Sequence, residues 1–366
     1  MSDPHTPILQ FGTSRFLQAH VDLFFAQAQP ARAVTVVQSS GDATRAKRLG
    51  ALANPEGYPV RIRGLQDGHT IDEEVRCTSV KRTLSTATDW DKILSIAVAE
   101  AEVILSNTGD SGFAPRPADR DTVFSQDMSY PAKLFHLLAA RFDANRKPLV
   151  IMPTELISNN GDVLKKRIMD IGQGIGGSDA VLSWIEALPF ANSLVDRIVS
   201  EPIEPAGAIA EPYALWAIER ADGVAAPCIH PSVHMVDSLE EVTRLKLHIL
   251  NLGHTVLADL WSTEGGDKDA NVRALLAGAM GDALRDIYQS EVLPGFKAMG
   301  MGCVAASYVA TTLERFDNPF LDHRIADIAQ NHSQKVDRRI GAFLDWIAAK
   351  DVATPKLDRL VGRVKA

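Results

Sequence analysis

The sequence predicts an α/β protein whose first part holds a parallel sheet and whose second part is almost entirely helical. Two observations support this prediction. Over the first half of the chain, apolar and β-branched runs of strand length alternate with segments that have the apolar spacing of helices. Beyond about residue 240, only helical spacing is present. We therefore place a domain boundary after residue 236, with an α/β domain over residues 1–236 and a helical domain over residues 237–366.

The predicted elements of the first domain follow one another in the order that builds a parallel sheet. Residues 7–11 form a strand that ends at Gly12, residues 15–28 form a helix, and residues 33–40 form the next strand. Such a unit gives two parallel strands with a right-handed crossover. The later predicted elements are strands 58–65 and 71–80, helix 89–101, strand 102–109, helix 130–144, strand 148–155, helix 161–172, and strands 193–202 and 232–239.

The composition of the 366-residue chain is that of a globular protein, and it excludes several classes of function. Hydrophobic residues make up 46% and charged residues 23%, and the net charge is −8. An acidic chain lacks the basic surface that neutralises phosphates, so we expect no nucleic-acid partner. We find no apolar run of membrane-spanning length, no cysteine pair and no metal-ligand spacing. We therefore expect a cytoplasmic protein without a metal or a membrane partner, as a monomer or small homo-oligomer.

The turn after the first predicted strand is similar to a phosphate-binding turn. Gly12 stands where a dinucleotide-binding turn has its first glycine, which lets the chain bend sharply and bring its amides close to a pyrophosphate. Ser14 and Leu17 replace the second and third glycines of the usual pattern, so a turn without a ligand explains this stretch equally well. The turn favours a Rossmann-type NAD(P)-binding domain, and the residues that we predict to bind the cofactor here are Gly12, Thr13, Ser14, Arg15 and Phe16.

Two further segments bear on the cofactor. An acid after the second strand accepts the 2′-hydroxyl of NAD, whereas basic residues hold the 2′-phosphate of NADP. Asp42 favours NAD, but Arg45, Lys47 and Arg48 follow it, so NADP stays open; a solvated helix face is the ordinary explanation of such charges. Asn107 and Thr108 end a central strand on the side where a nicotinamide lies, and we predict that they contact the cofactor.

Three polar residues interrupt an otherwise apolar helical stretch of the second domain. On an α-helix, Lys246, Asn251 and His254 fit one wide face that apolar side chains surround. A buried lysine makes a competent general base, an amide can hold an oxygen that gains charge, and an imidazole can orient a substrate. The three would therefore serve the oxidation of a secondary alcohol. In the alternative interpretation, Lys246 extends to the surface and the other two are satisfied core polar groups.

Several separated stretches of the chain together resemble one family. They are the Lys246–Asn251–His254 spacing and the segments 104-ILSNTGDSG-112, 129-SYPAKLFHLLAARF-142, 154-TELISNNGD-162, 192-NSLVDRIV-199, 211-EPYALWAIE-219 and 314-ERFDNPFLDH-323. On these stretches the chain resembles the polyol-specific long-chain dehydrogenases and reductases, the mannitol dehydrogenase family, over almost its whole length. Within that family it is most similar to the tagaturonate reductases, also called altronate oxidoreductases. The resemblance implies a metal-independent, NAD(P)-dependent oxidoreductase that interconverts a secondary alcohol and its ketone.

The resemblance also implies roles for individual residues. Lys246 is the expected general acid and base, Asn251 is expected to help form the oxyanion site, and His254 is expected to bind and orient the substrate. Asn160 is the expected second oxyanion asparagine. The residues expected to contact the substrate are Asn192, Asp196, Arg315 and His323. An arginine suits a uronate, because a guanidinium binds a carboxylate through two hydrogen bonds. For Asp196, a structural ion pair with Arg197 is the alternative.

The substrate stays open between a sugar acid and a neutral polyol such as mannitol or arabinitol. The EPYALW segment is more typical of the mannitol and fructuronate enzymes than of the tagaturonate enzymes. Family members also have a glycine where this chain has Ser14 and an arginine where it has Gln18, which affects the expected phosphate contacts. A non-catalytic sensor of a nucleotide or sugar is the hypothesis from another class, and the intact polar trio argues against it.

Overall fold

The computed structural model describes residues 4–267, 269–321 and 323–365 of the chain. The chain divides into two compact units. The first unit runs to Ile62 and resumes over Asp72–Leu239, and the second comprises Arg63–Ile71 and the chain from Glu240 onward. Each unit has an apolar core of its own.

The strands form three sheets. Their bounds are β1 Ile8–Phe11, β2 Val34–Gln38, β3 Tyr58–Gln66, β4 His69–Cys77, β5 Val80–Ser85, β6 Val103–Ser106, β7 Val150–Pro153, β8 Ser193–Asp196, β9 Val199–Pro202, β10 Ala208–Ala210, β11 Leu215–Glu219 and β12 Val233–Val236. The central sheet has the order β5-β2-β1-β6-β7, a second sheet has the order β4-β3-β10-β9, and a third has the order β12-β11-β8.

The central sheet is parallel throughout. Its own strands, counted along the chain, lie in the order 3-2-1-4-5, which is the order of dinucleotide-binding folds. Strands β1, β2 and β6 are buried at every position, as expected for a parallel sheet that helices cover on both faces. This arrangement confirms the predicted fold class.

The helices of the first unit alternate with these strands. Their bounds are α1 Arg15–Ala19, α2 Val21–Gln27, α3 Ala43–Ala46, α4 Leu49–Leu52, α5 Trp90–Ala99, α6 Tyr130–Ala144, α7 Asn160–Gly174 and α8 Asp179–Glu186, with 3-10 turns at Asp110–Phe113 and Pro117–Arg120. The start of α6 follows from its sequence, because the Ser129 hydroxyl accepts from the Ala132 amide and Pro131 lies in the first turn. The single helix predicted over 15–28 is interrupted at His20, where φ is −124° and ψ is −95°.

The predicted strand 71–80 was wrong at its C-terminal end. Strand β4 stops at Cys77, and Val80 begins β5, which pairs with β2 at the edge of the central sheet. The two strands belong to different sheets and have different exposure: β4 is mostly exposed, whereas alternate residues of β5 are buried. Residues 78–79 contain neither glycine nor proline, so the sequence carries no turn signal there.

The second unit is helical apart from its first nine residues. The helix bounds are α9 Leu239–Leu245, α10 Leu252–Glu264, α11 Val272–Leu276, α12 Ala279–Ile287, α13 Leu293–Ala298, α14 Gly302–Phe316, α15 Ile325–Ile328, α16 His332–Val336, α17 Ala342–Ile347 and α18 Pro355–Lys365. Single π-helical turns join successive helices at Lys246–Asn251, Tyr288–Val292 and Asp337–Gly341. In the described part of the chain, no helix has both the length and the apolar character needed to cross a membrane.

The tip of the β3–β4 hairpin, residues 63–71, is bound within the helical unit. The Asn318 side-chain amide donates to the carbonyl of Arg63 at 3.3 Å, and the Arg63 guanidinium lies 4.3 Å from the centre of the Phe320 ring. At the turn itself, the Gly68 amide donates to the Glu314 carboxylate at 2.7 Å. The RFDNP segment, which carries Arg315, is therefore fixed by backbone groups from a distant part of the sequence.

Candidate active site

A pocket of about 460 Å³ lies at the carboxyl ends of the central strands of the first unit. Its lining comes from three segments that follow β1, β2 and β6, at residues 12–15, 38–40 and 107–109, and from Gln18, Arg45, Arg48, Leu49, Leu52 and Pro205. In open α/β sheets, ligands bind at this end of the strands, where the strand order reverses. The reversal in this sheet falls between β1 and β6.

Gly12 allows two of these segments to approach closely. Its φ is +129°, and a Cβ atom at this position would lie 2.5 Å from the carbonyl oxygen of Asn107. Next to it, the Ser14 hydroxyl accepts from the Leu17 amide at 3.2 Å and lies 3.3 Å from the Asn107 side-chain oxygen, to which it donates. Ser14 therefore caps α1 and ties the turn to β6, which a second glycine at this position would not do.

Asp42 does not line the pocket, although it was predicted to bind the cofactor. Its carboxylate accepts from the Thr44 and Arg45 amides at 2.8 and 3.0 Å and caps α3, and these hydrogen bonds lower its pKa. The polar groups that face the pocket after β2 are instead Gln38, Ser39 and Ser40, and beyond them Arg45 and Arg48. Phe16 also lies outside the lining, where it stacks on His20 with ring centres 4.6 Å apart.

Glu155 holds the turn that follows β6. One of its carboxylate oxygens accepts from both the amide and the hydroxyl of Thr108, at 2.9 and 3.0 Å, and the other accepts from the Ser106 hydroxyl at 3.0 Å. Asn107 donates from its side chain to the carbonyl of Thr154 at 3.0 Å. Burial raises the pKa of Glu155, while its hydrogen bonds oppose that shift. This carboxylate was not predicted, since a lone glutamate at a strand end has no pattern to mark it.

Asn160 and Asn192 both serve the polypeptide backbone. The Asn160 amide nitrogen donates to the carbonyls of Pro153, Glu155 and Ser193, and its oxygen accepts from the Ser193 amide at 2.9 Å; the residue is fully buried. The Asn192 oxygen accepts from the amides of residues 161 and 162 at the start of α7, at 3.0 and 3.2 Å. The Asn192 amide nitrogen donates to the carboxylates of Asp162 and Glu219, at 3.0 and 3.1 Å, so the N–H groups of both asparagines are bonded within the first unit.

Asp196 and Arg197 are both buried where β8 ends, with 8% and 9% of their surfaces exposed. Arg197 donates to the carbonyls of Glu211 and Ala19, at 2.9 and 2.7 Å, and burial lowers its pKa to about 10. The arginine is therefore anchored by backbone carbonyls from two other segments of the first unit.

The stretch that contains the polar trio is not a regular α-helix. Lys246 begins and Asn251 ends a π-helical turn between α9 and α10, and His254 lies on the next turn of α10. The Leu252 amide is shared between the carbonyls of Ile249 and Leu247, the second of which is an i→i+5 bond. A π turn places residues five apart in one row, so Lys246 and Asn251 lie closer to a single line than the predicted α-helix would put them. Both are half-buried, whereas His254 is 8% exposed.

His254 is enclosed by rings and by positive charge. Its ring centre lies 4.3 Å from that of Phe316 and 5.1 Å from that of His323. Burial lowers the pKa of His254 well below its usual value, and the charges of His323, Arg315, Arg339 and Lys335 lower it further. The Nε2 atom is buried without a hydrogen-bond partner among the described residues. This part of the chain thus holds a neutral imidazole with one ring nitrogen that is available to a ligand.

The structure brings together five of the predicted residues in the second unit: Lys246, Asn251, His254, Arg315 and His323 lie on or against the π turn and α10. Within the first unit it brings Gly12, Ser14, Asn107 and Thr108 to one pocket, together with Thr13 and Arg15. Lys335 and Arg339 were not predicted, because charged residues on a short amphipathic helix normally form a solvated face.

Among the described residues, no group of three or more His, Cys, Asp or Glu side chains is placed to hold a metal ion.

Comparison with known families gives one match that spans most of the chain. Residues 6–228 match the family model described as the mannitol dehydrogenase Rossmann domain. The matched range contains the pocket and all of the central sheet.

Two curated relatives are similar along nearly the whole chain. The altronate oxidoreductase of Halalkalibacterium halodurans is 29% identical over 370 residues, which is 93% of this chain and 71% of the relative. The altronate oxidoreductase of Bacillus subtilis is 29% identical over 363 residues, which is 91% of this chain and 73% of the relative.

Two solved structures share the fold. A substrate-free D-sorbitol dehydrogenase covers 99% of this chain and 81% of its own length, with a TM-score of 0.82 and 18% identity. The mannitol 2-dehydrogenase of Pseudomonas fluorescens, solved with NAD and D-mannitol, covers 98% of this chain and 78% of its own, with a TM-score of 0.69 and 17% identity.

Proposed function

This chain belongs to the mannitol dehydrogenase family and is an oxidoreductase that acts on CH–OH groups; from that premise we propose that it interconverts a secondary alcohol of a sugar acid and the corresponding ketone, with NAD as cofactor. The observation that supports this function best is the π turn of Lys246 and Asn251, which lies beside His254 and the arginine of the RFDNP segment. The names of the two relatives, both altronate oxidoreductases, favour a sugar acid over a neutral polyol.

The pocket of the first unit fits a dinucleotide. The close approach at Gly12 leaves no room for a side chain there, and the lining offers the hydroxyl groups of Ser39 and Ser40 as donors to ribose oxygens, with the guanidinium groups of Arg45 and Arg48 beyond them. The turn of Asn107 and Thr108, fixed by Glu155, would hold the nicotinamide end. When bound, NAD supplies or accepts the hydride.

Lys246 handles the proton in the proposed reaction. In the reductive direction, its ammonium group gives a proton to the carbonyl oxygen of the ketone; in the oxidative direction, its neutral amine takes the proton of the hydroxyl group. The side-chain amide of Asn251, one π turn away, donates a hydrogen bond to the same oxygen as it gains charge. Because both groups are half-buried on one short row, their distance to that oxygen is set by the backbone.

His254 orients the substrate. Its lowered pKa keeps the imidazole neutral near pH 7, so one ring nitrogen can donate to a substrate hydroxyl while the other accepts. The rings of Phe316 and His323 fix its plane. The sequence also suggested Asn160 for the oxyanion and Asn192 for the substrate. Since the polar groups of both side chains are bonded within the first unit, we propose that they hold the start of α7 against the segment after β7 and the start of β8.

A panel of substrates tests this function. Purified protein is given NADH with tagaturonate, fructuronate, and the neutral ketose fructose, and NADH absorbance is followed. We expect turnover with at least one ketouronate and a kcat/KM for fructose that is at least about a hundredfold lower, because the positive charges around His254 favour a carboxylate over a neutral group. Turnover of the neutral ketose at equal or higher efficiency would support the polyol alternative instead. A protein that binds NADH and oxidises it with none of these ketones would contradict the proposed substrate class.

A further inference from the structure

Lys335 and Arg339 form a pair of cations on one face of the second unit. Lys335 lies in α16, and Arg339 lies in the π turn that follows it. Residues four apart are neighbours on a helical surface, and these two are half-buried while Asp337 and Arg338 between them are exposed. The pair therefore faces the interior of the unit, and Asp337 and Arg338 face the solvent.

Hydrogen bonds fix both side chains against neighbouring helices. The Arg339 guanidinium donates to the carbonyl of Asn251 at 3.3 Å and to the Thr255 hydroxyl at 3.1 Å. The Lys335 ammonium donates to the carbonyl of Ile328 at 2.7 Å. Arg339 is thus bound to the same turn of backbone that carries Asn251 and precedes His254.

Among the described residues, no carboxylate bonds to Lys335 or Arg339. Asp259, which packs near the start of α16, is bonded to His332 and Arg363. Both cations act on His254, whose pKa they lower together with Arg315, and burial lowers the pKa of each. Half-buried charges without a counterion are unfavourable, and they are stabilised when an anion binds.

The Nε2 atom of His254, which has no hydrogen-bond partner in the described part of the chain, is a second observation that points to a ligand. It lies on a residue that is 8% exposed, within reach of the same positive charges. A ligand that satisfies both features needs an anionic group for the cations and a polar group, such as a hydroxyl, for the imidazole. A sugar acid has both within one small molecule.

We propose that Arg339 and Lys335 form the subsite that binds the carboxylate of a sugar-acid substrate, next to His254. The proposal rests on the function proposed above and extends it, because it assigns the choice between a sugar acid and a polyol to two residues. Asn251 and Thr255 take the two N–H groups of Arg339 Nη1, so the Nε–H and the Nη2 N–H groups stay available for a carboxylate, and Lys335 adds a second charge. Arg315 contributes to the positive potential around His254.

A matched pair of ligands tests the proposal. D-altronate and D-altritol differ only in a carboxylate against a hydroxymethyl group, and their binding to the protein with NAD present is measured by calorimetry. We expect Arg339→Gln to weaken altronate binding about tenfold and altritol binding less than twofold, because one charge-assisted contact is lost. Lys335→Met should act in the same direction. Arg338→Gln, which removes the same charge from the exposed neighbour, should leave both affinities unchanged.

The outcomes separate this proposal from the general function. If the wild-type protein binds and oxidises altronate but the two variants weaken altronate and altritol equally, the subsite is wrong and the function stands. If Arg339→Gln weakens NAD binding instead, the cations hold a phosphate of the cofactor, and the carboxylate assignment is overturned. If the wild-type protein shows no preference for any sugar acid over its neutral analogue in turnover or binding, the proposed function itself fails.

Discussion

The hydroxyl of Tyr288 donates a 2.8 Å hydrogen bond to the carbonyl of Ile249, in the middle of the π turn that carries Lys246 and Asn251. Tyr288 is fully buried, and it reaches this carbonyl across Gly253, where a Cβ atom would lie 2.0 Å from the tyrosine oxygen. Tyr288 therefore supports the irregular turn, and the absence of a side chain at Gly253 leaves the space that the tyrosine oxygen occupies. Single π turns in α-helices are frequent at functional sites, and this turn can be tested directly.

Replacing Tyr288 with phenylalanine should loosen the turn without emptying the core. We expect the free energy of unfolding to fall by about 1–2 kcal/mol, because a buried hydrogen bond to a carbonyl is lost. We also expect kcat to fall more than cofactor affinity, since the row of Lys246 and Asn251 loses its support. Urea unfolding and steady-state kinetics measure the two effects. Gly253→Ala, which pushes against the same oxygen, should have the same two effects; an unchanged kcat in both variants would show that the π turn does not position the catalytic groups.

Removing the amine of Lys246 tests the proposed proton transfer. For Lys246→Ala we expect kcat to fall about 10²–10⁴-fold, which is the usual contribution of a general acid or base. The affinity for NADH, measured by fluorescence titration, should change little, because the nucleotide pocket is built from the first unit. Lys297→Ala, at an exposed lysine of the second unit, should match the wild-type protein. A Lys246→Ala protein that keeps more than a tenth of the wild-type rate would exclude the lysine as the acid and base.

The arginines of the nucleotide pocket bear on the choice between NADH and NADPH. Arg45 and Arg48 line the pocket beyond Ser39 and Ser40, so we expect the protein to accept the 2′-phosphate of NADPH as well as NADH. Arg45→Ala should raise the KM for NADPH about tenfold and change the KM for NADH less than twofold, because one charge-assisted contact to phosphate is lost. Lys47→Ala serves as the control, since Lys47 is exposed and does not line the pocket. Equal effects of Arg45→Ala on both cofactors would place the arginine against the pyrophosphate or the ribose.

Asp22 should make the stability of the protein depend on pH. It is buried in the first unit and accepts from the Tyr58 hydroxyl at 2.9 Å; burial raises its pKa from 3.8 to about 7, although the Tyr58 hydrogen bond opposes the shift. Between these two pH values, Asp22 keeps its proton in the folded protein and releases it in the unfolded chain. The contribution of Asp22 to the stability of the folded state is therefore complete below pH 4 and is lost as the pH rises to 7.

Asp22→Asn tests this effect, because asparagine keeps an acceptor for Tyr58 and does not titrate. We expect the wild-type free energy of unfolding to decrease between pH 4 and pH 7 by roughly 2–4 kcal/mol more than that of the variant. Urea unfolding at several pH values measures the difference. Asp143→Asn, at an exposed aspartate, should keep the wild-type slope. Parallel pH profiles of the wild-type protein and the Asp22→Asn protein would show that Asp22 is ionised in both states.

The parts of the molecule that could be predicted are those with a local signal. The turn at Gly12 and the buried strands around it follow from one glycine and from runs of apolar residues. The trio was recognised because polar residues at a fixed spacing stand out in an apolar helix. Its π geometry was not recognised, since the support comes from Tyr288, which is far away in sequence.

Other features depend on contacts that no single segment encodes. Asp42 was predicted to bind a ribose, but the same carboxylate is also suited to cap a helix, and in the structure it caps α3. Asn160 was predicted to hold an oxyanion, yet its backbone partners at Pro153, Glu155 and Ser193 are gathered only by the fold. Arg339 becomes notable only when α16 and its π turn pack on α10, which places the guanidinium on the carbonyl of Asn251.

The hairpin tip at residues 63–71 determines whether the second unit can be expressed as a separate fragment. A fragment that starts at Glu240 contains every helix of the second unit but lacks the carbonyl that Asn318 binds and the guanidinium that covers Phe320. Such a fragment would leave the RFDNP segment, and with it the arginine next to His254, without its support. Experiments on the second unit should therefore add a peptide of residues 63–71 to the fragment, or use the intact chain.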